Sequence, residues 1–134
     1  MECIFCKIVK GDLPSHKVYD DHYVMAFLDT SPVNPGHVLV VPKRHVNLLD
    51  EVDDVMLAHV MVVAKKIGTA LKTSLGVKGY NVVINNGEVA GQVINHFHCH
   101  VIPRLETDNL HNWPQGQYAV GEAEVVAEKI KQSL

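Results

Sequence analysis

Between His96 and Arg104 the chain reads HFHCHVIPR. Side chains along a strand alternate between its faces. This spacing therefore predicts a strand with His96, His98 and His100 on one face and Phe97, Cys99 and Val101 on the other. The apolar set has to be covered, and the polar set then lies in a groove. One segment can supply the cover. From Asp50 to Gly76 the sequence DEVDDVMLAHVMVVAKKIGTALKTSLG carries Val52, Val55, Met56, Val60, Val63, Ile67 and Leu71 at helical spacing. Aspartates at its start and lysines further on suit the helix dipole, and Gly76 can end it. A half-polar strand under one long helix points to a two-layer domain.

The rest of the chain fits that layout. HKVYDDHYVMAFLD reads as two short strands around a turn at Asp20, Asp21 and His22. Asp29 to Gly36 is dense in turn residues and reads as a loop. GHVLVVPK is a buried strand ended by Pro42. YNVVINN is another strand, followed by the glycine-containing loop NNGEVAGQ. A short helix is expected around GEAEVVAEKIKQSL. The expectation is an α+β fold with a mostly antiparallel five-stranded sheet, one long helix and a short C-terminal helix. At 134 residues the chain is one domain, 1–134, and 47% hydrophobic residues are enough for a core. Exposed edges of so small a sheet favour pairing into a homodimer. Scattered basic residues and a formal charge of −3 give no support for a nucleic-acid partner. No apolar run is long enough to span a membrane. With no recognisable signal peptide, a cytoplasmic location is expected. Three cysteines argue against a disulfide framework.

Nine histidines are the compositional outlier, and three readings of the histidine strand stand open. A solvated strand face favours Thr, Lys and Glu rather than three histidines. A metal cage meets a geometric limit: at about 3.3 Å rise per residue, His96 and His100 start roughly 13 Å apart, against zinc–nitrogen bonds of about 2.0–2.1 Å. A His-x-His pair can still supply two ligands of a catalytic zinc with a third from elsewhere. In the nucleophile reading, a neutral imidazole attacks phosphorus while its other nitrogen is held protonated. His98 sits centrally, with His100 to carry a proton or contact phosphate and His37 available to orient His98 if the strands pair. Asn85, Gly91 and Gln92 come from the preceding loop and offer polar contacts.

HFHCHVI fits the pattern His-φ-His-φ-His-φ-φ, where φ is hydrophobic. With CIFCKIVKGDLPSHKVYDD, AFLDTSPVNPGHVLVVPKRH and NNGEVAGQ in order, the chain resembles the histidine triad (HIT) superfamily from about Cys3 to Arg104. The likeness is greatest to the small nucleotide-binding and nucleoside phosphoramidase branch. The resemblance implies the HIT-like fold, a homodimer with a sheet continued across its interface, and a bound purine nucleoside 5′-monophosphate moiety. It implies loss of a leaving group, commonly an amine, from the α-phosphate. His98 then corresponds to the nucleophile that forms a nucleotidyl-histidine, His100 to the phosphate contact and proton donor, and His96 and His37 to orienting members. Asp29, with Thr30 beside it, corresponds to the ribose ligand, and Ile4, Phe5 and Phe27 to the base pocket. Asn85, Gly91 and Gln92 correspond to residues beside ribose and phosphate. Val93 departs from the family: it stands beside the leaving group where many relatives carry a hydroxyl, and it has no proton to give. No catalytic metal or organic cofactor is expected. The C-terminal segment, 105–134, is the part that varies in this superfamily. Its Trp113-Pro114 pair either reaches a partner's active site or packs in its own subunit.

CIFC places Cys3 and Cys6 at C-x-x-C spacing, which alone indicates zinc or redox chemistry. No thioredoxin-like pattern surrounds it. Resemblance to zinc-binding bacterial members implies a structural zinc held by Cys3, Cys6, His45 and His96. Cys99, on the opposite face, is expected in the core. His16 and His22 are expected to be exposed, and the acidic cluster from Asp50 to Asp54 is expected to be a solvated helix start. Two other readings complete the field: a zinc-dependent hydrolase using part of the triad, and a module that binds nucleotide or protein without turnover.

Overall fold

The computed structural model describes residues 2–134. A first helix, α1 (Ile4–Lys10), precedes β1 (Lys17–Asp20), β2 (Val24–Leu28) and β3 (Val38–Pro42). The long helix α2 (Asp54–Leu75) follows, then β4 (Gly79–Val83), β5 (Cys99–Arg104) and the terminal helix α3 (Glu122–Ser133). The five strands form one antiparallel sheet in the order β1-β2-β3-β5-β4. The α+β expectation therefore holds, with the two hairpin strands, the β3 run and the C-terminal helix where the sequence puts them. No helix among the described residues is long and apolar enough to cross a membrane.

The helix α2 lies across β3, β5 and β4. It buries Val60, Val63, Ala64, Ile67 and Leu71 against Val38, Val40, Phe97, Cys99 and Val101. Gly68 is required where α2 crosses Tyr80: an added Cβ there would lie 2.2 Å from the tyrosine ring. On the other face of the sheet Phe5, Met25, Phe27, Leu39 and Val41 form a second apolar cluster under α1.

Three expectations change. The long helix starts later than Asp50: Leu49–Glu51 form a separate 3-10 turn, and Asp53 caps α2 by accepting from the Met56 amide at 2.9 Å. Val52 is buried ahead of the helix, while Val55 points to solvent. An Asp side chain bonds a backbone amide more effectively than it sits inside a turn, so the third acidic residue of the run, not the first, sets the boundary. The second change is α1, which the sequence reading missed. Its cap is a cysteine, with Cys3 Sγ accepting from the Cys6 amide at 3.4 Å, and Gly11 at φ 86° closes it. The third concerns the triad strand, which is in the sheet only from Cys99 onward. His96 lies in a bend, and His98 lies outside any strand, just before the ladder. There the Phe97 amide bonds the Val46 carbonyl at 2.7 Å. The alternation of Phe97, Cys99 and Val101 into the core holds nonetheless.

Candidate active site and metal centre

A cleft of about 560 Å³ opens over the second apolar cluster. Ile4, Phe5, Phe27, Asp29, Thr30, Asn85, Gly91, Val93, His98 and His100 all line it, as the sequence reading expects. Ile8, Leu13, Pro14 and Ser15 extend its wall and were missed. The signal for Ile8 is its position one turn after Ile4, legible only once α1 is recognised. Gln92 is a correction. It is buried, its side chain accepting from the Gly87 amide at 2.9 Å and donating to Asn47 and the Ile94 carbonyl at 3.0 and 3.1 Å. It staples the loop that presents Asn85, Gly91 and Val93 rather than facing the cleft.

Backbone groups have one-way hydrogen-bonding roles, so they fix the proton on each ring. His98 Nδ1 lies 2.7 Å from the His96 carbonyl oxygen and must donate to it. The His98 lone pair is thereby left on Nε2, and the ring lines the cleft with the edge of Phe5 packed on it at 5.2 Å. The Val33 amide donates to His37 Nδ1 at 3.1 Å, so the His37 proton is on Nε2. That nitrogen donates to His100 Nδ1 at 2.9 Å, and His100 keeps its own proton on Nε2. His37 therefore does not orient His98, as the sequence reading has it; the ring it orients is His100. The flanking histidine rings do not fix His98 either; the carbonyl of one of them does.

Burial lowers the pKa of His37, His96 and His98 below the ordinary imidazole value, and it brings His100 down to about 4. Asp29 opposes this weakly for His37, 3.7 Å away. All four rings are thus neutral near pH 7. A neutral imidazole with a free Nε2 facing an apolar cleft, beside an N–H donor and a carboxylate, is equipped for nucleophilic attack on an electrophile held there.

His96 belongs to a different centre. Its Nε2 donates to the Pro42 carbonyl at 2.8 Å, which turns Nδ1 toward Cys3 and Cys6. Nδ1 lies 3.4 Å from Cys3 Sγ, 3.6 Å from Cys6 Sγ and 3.2 Å from His45 Nδ1. Cys6 Sγ lies 3.3 Å from His45 Nδ1. Bond lengths of about 2.3 Å to sulfur and 2.0–2.1 Å to nitrogen give tetrahedral edges of about 3.6 Å for S–N and 3.3 Å for N–N. The four distances above lie close to these edges, all four donors lie within 4.8 Å of one another, and four protein ligands would leave no position open. Burial, together with the neighbouring Cys3, pushes the Cys6 thiol up; a doubly charged cation would reverse that balance. Burial also takes the Cys99 thiol up to about 12, in keeping with a core residue.

The remaining histidines and the second groove fall outside both centres. His16 and His22 are exposed, and His59 pairs with Asp21 at 2.6 Å. His111 and Trp113 line a separate groove with Asn81, Ile102 and Arg104, which meets the cleft only at Asn85. Trp113 is 75% exposed, so it does not pack into its own subunit.

An uncharacterised HIT-like protein of Methanocaldococcus jannaschii is 53% identical over 106 residues, covering 79% of this chain and 81% of that protein. Adenosine 5′-monophosphoramidase hnt1 of Schizosaccharomyces pombe is 37% identical, covering 100% of this chain and 99% of its own. Among solved structures, a HIT family member from Bacillus subtilis superposes with a TM-score of 0.92 at 37% identity, covering 100% of this chain and 98% of its own. A zinc-bound histidine triad family protein from Mycobacterium smegmatis gives 0.80 at 31% identity, with 100% and 99% covered. The family model described as HIT domain matches residues 10–107, and the chain belongs to the HIT domain family.

Proposed function

We propose that this protein is a nucleotide hydrolase that removes an amine from the α-phosphate of a purine nucleoside 5′-phosphoramidate through a nucleotidyl-His98 intermediate. One observation carries this reading: the His96 carbonyl holds the His98 proton on Nδ1 and leaves the Nε2 lone pair on the cleft side of an apolar pocket. The relative named adenosine 5′-monophosphoramidase supports the substrate class.

In this reading Ile4, Phe5 and Phe27 take the base, whose flat face suits an aromatic and aliphatic wall. Asp29 accepts from the ribose hydroxyls through the oxygen not committed to the Ser31 amide. His98 Nε2 attacks phosphorus as the P–N bond breaks. His100 Nε2–H donates a hydrogen bond to a phosphate oxygen and steadies its charge, and the departing amine takes its proton from solvent. Water then displaces His98 from phosphorus and releases the monophosphate. Positioning and charge stabilisation supply most of the rate in such displacements. Val93 offers no proton, so the amine depends on solvent for its proton.

A structural zinc at Cys3, Cys6, His45 and His96 is part of the proposal, supported by the tetrahedral fit and by the zinc-bound relative. When bound it ties α1 to the segment preceding β5. A homodimer is also part of it: β4 is an edge strand, and Val82, Leu110 and Trp113 are exposed beside it. The zinc-hydrolase alternative is disfavoured by the division of the triad, since His96 Nδ1 and the His98 ring serve different centres.

The test compares wild type with His98→Asn on a fluorogenic adenosine phosphoramidate, with AMP binding measured for both. Turnover is expected to fall by at least about a thousandfold while AMP still binds, and wild type is expected to yield a trapped nucleotidyl-His98 by mass spectrometry. Equal rates for the two proteins would overturn the assignment.

A further inference from the structure

We propose that Asn34, held by Asp108, is a positioning residue for the reaction: it fixes the turn that carries His37 and, through His37, decides which nitrogen of His100 keeps the proton. Asn34 is buried. Its side-chain nitrogen donates to the Pro103 carbonyl at 2.9 Å and to an Asp108 carboxylate oxygen at 3.0 Å. Both partners can only accept, so the NH₂ group and not the amide oxygen must face them.

Pro103 lies in β5, three residues beyond His100. The turn is therefore tied to the same strand whose histidine it serves. Asn34, Pro35, Gly36 and His37 form that turn, closed by the His37 amide donating to the Asn34 carbonyl at 3.1 Å. Proline at its second position and Gly36 at φ 98° at its third follow the type II pattern. Such a turn has little freedom left, so fixing its first residue places its last. The Val33 amide, just before the turn, donates to His37 Nδ1 at 3.1 Å, and His37 Nε2 donates to His100 Nδ1 at 2.9 Å. The path from Pro103 through Asn34 and His37 to His100 thus leaves β5 and returns to it.

Asp108 supplies the second tether and is itself held on several sides. Its oxygens accept from Arg104 at 2.9 and 3.1 Å and from the Leu105 and Leu110 amides at 3.0 Å each. Arg104 also donates to Asn81 on β4 at 2.8 Å. Without the Asn34 donors the turn is free to shift, and His37 no longer points its proton at His100 Nδ1. His100 can then take its own proton on Nδ1, which turns a lone pair toward the phosphate oxygen. The catalytic part of this inference rests on the function proposed above; the placing of the His100 proton does not.

The experiment reads the full chain by long-range ¹⁵N–¹H NMR at pH 7 and by steady-state kinetics on the adenosine phosphoramidate. In wild type, His100 is expected to be protonated at Nε2 and bare at Nδ1. In Asn34→Ala the proton is expected to be shared between the two nitrogens. Asn34→Leu, which keeps the bulk and loses both donors, guards against misfolding of the first variant. For both, kcat/KM is expected to fall about 10–100-fold. In a His37→Gln background, where the donor to His100 is already gone, the same changes should cost less than about twofold. An unchanged His100 tautomer in both variants, or an equal fall in the two backgrounds, would overturn the positioning role. Asp108→Ala removes one tether from outside the turn and should move both readouts in the same direction; no movement would take Asp108 out of the path. A shifted tautomer in the variants with no turnover by wild type would overturn the proposed function and leave the placing of the His100 proton standing.

Discussion

In the zinc-bound form proposed above, removing the metal from the Cys3, Cys6, His45 and His96 centre should damage catalysis as well as stability. His96 is the reason. Its ring faces the thiols through Nδ1, while its backbone carbonyl accepts from His98 Nδ1 at 2.7 Å. The same centre anchors α1, whose seven residues are too few to hold a helix alone. Phe5 of that helix packs its edge on both His96 and His98. An ion present at about a hundred times its dissociation constant stabilises the fold by about 2.7 kcal/mol. A chain of 134 residues has an unfolding entropy of about 0.28 kcal/mol per degree, so stripping the ion should lower Tm by about 10 °C. Displacing His96 and Phe5 should cost about 10–100-fold in kcat, the usual effect of disturbing groups that hold a reactive side chain. Calorimetry and steady-state kinetics on protein with and without chelator treatment, and on Cys6→Ser, would measure both. Stripped protein with unchanged Tm refutes the structural role. A lowered Tm with unchanged kcat refutes the link through His96.

Acid should weaken the fold through the buried rings. His100 holds at about 4, against an ordinary value of 6.5. Across that window an unfolded chain binds a proton that the folded one does not, so stability falls as pH falls, by about 3 kcal/mol at the foot. Urea unfolding at pH 7 and pH 4.5 should show a smaller loss for His100→Gln than for wild type; equal losses would discard the assignment. Because the pKa of His98 is also lowered, the acid limb of kcat/KM should lie below pH 6.5. Gly68→Ala should destabilise by about 1–3 kcal/mol, because its Cβ meets the Tyr80 ring at 2.2 Å and this outweighs the better helix propensity. A raised urea midpoint would contradict that. Asp108 accepts from Arg104, Asn34 and the Leu105 and Leu110 amides, and so pins the start of the C-terminal segment. Asp108→Ala should speed limited proteolysis between residues 109 and 121, and an unchanged cleavage pattern would show that the pin is dispensable.

The long helix and the core side of β5 were legible in the sequence because burial imposes a period, and Val60, Val63, Ile67, Phe97 and Val101 display it. The helix α1 was not: with a cysteine cap and seven residues, it offers neither a standard cap nor two turns of pattern. The partner of His37 was also out of reach. Val38 pairs with Val101 and Leu39 with His100, so His37 meets His100 diagonally across the ladder. Register of that kind depends on where β5 begins. The histidine alternation suggests one strand from His96 onward, whereas the Val46 carbonyl takes the Phe97 amide and the ladder starts only at Cys99.

That late start is what separates the three histidines. On a continuous strand their rings would share one face and their backbone groups would be spent on neighbouring strands. Off the ladder, the His96 carbonyl is free to accept from His98, and the Pro42 carbonyl takes the far nitrogen of His96. His100, inside the ladder, receives its orientation from His37, which the Val33 amide sets in turn. Two carbonyls and one amide thus decide which nitrogen of each ring holds its proton. They make one imidazole fit to bind a soft cation, one fit to attack and one fit to donate. Similar side chains acquire different chemistry because the main chain leaves the sheet between His98 and Cys99.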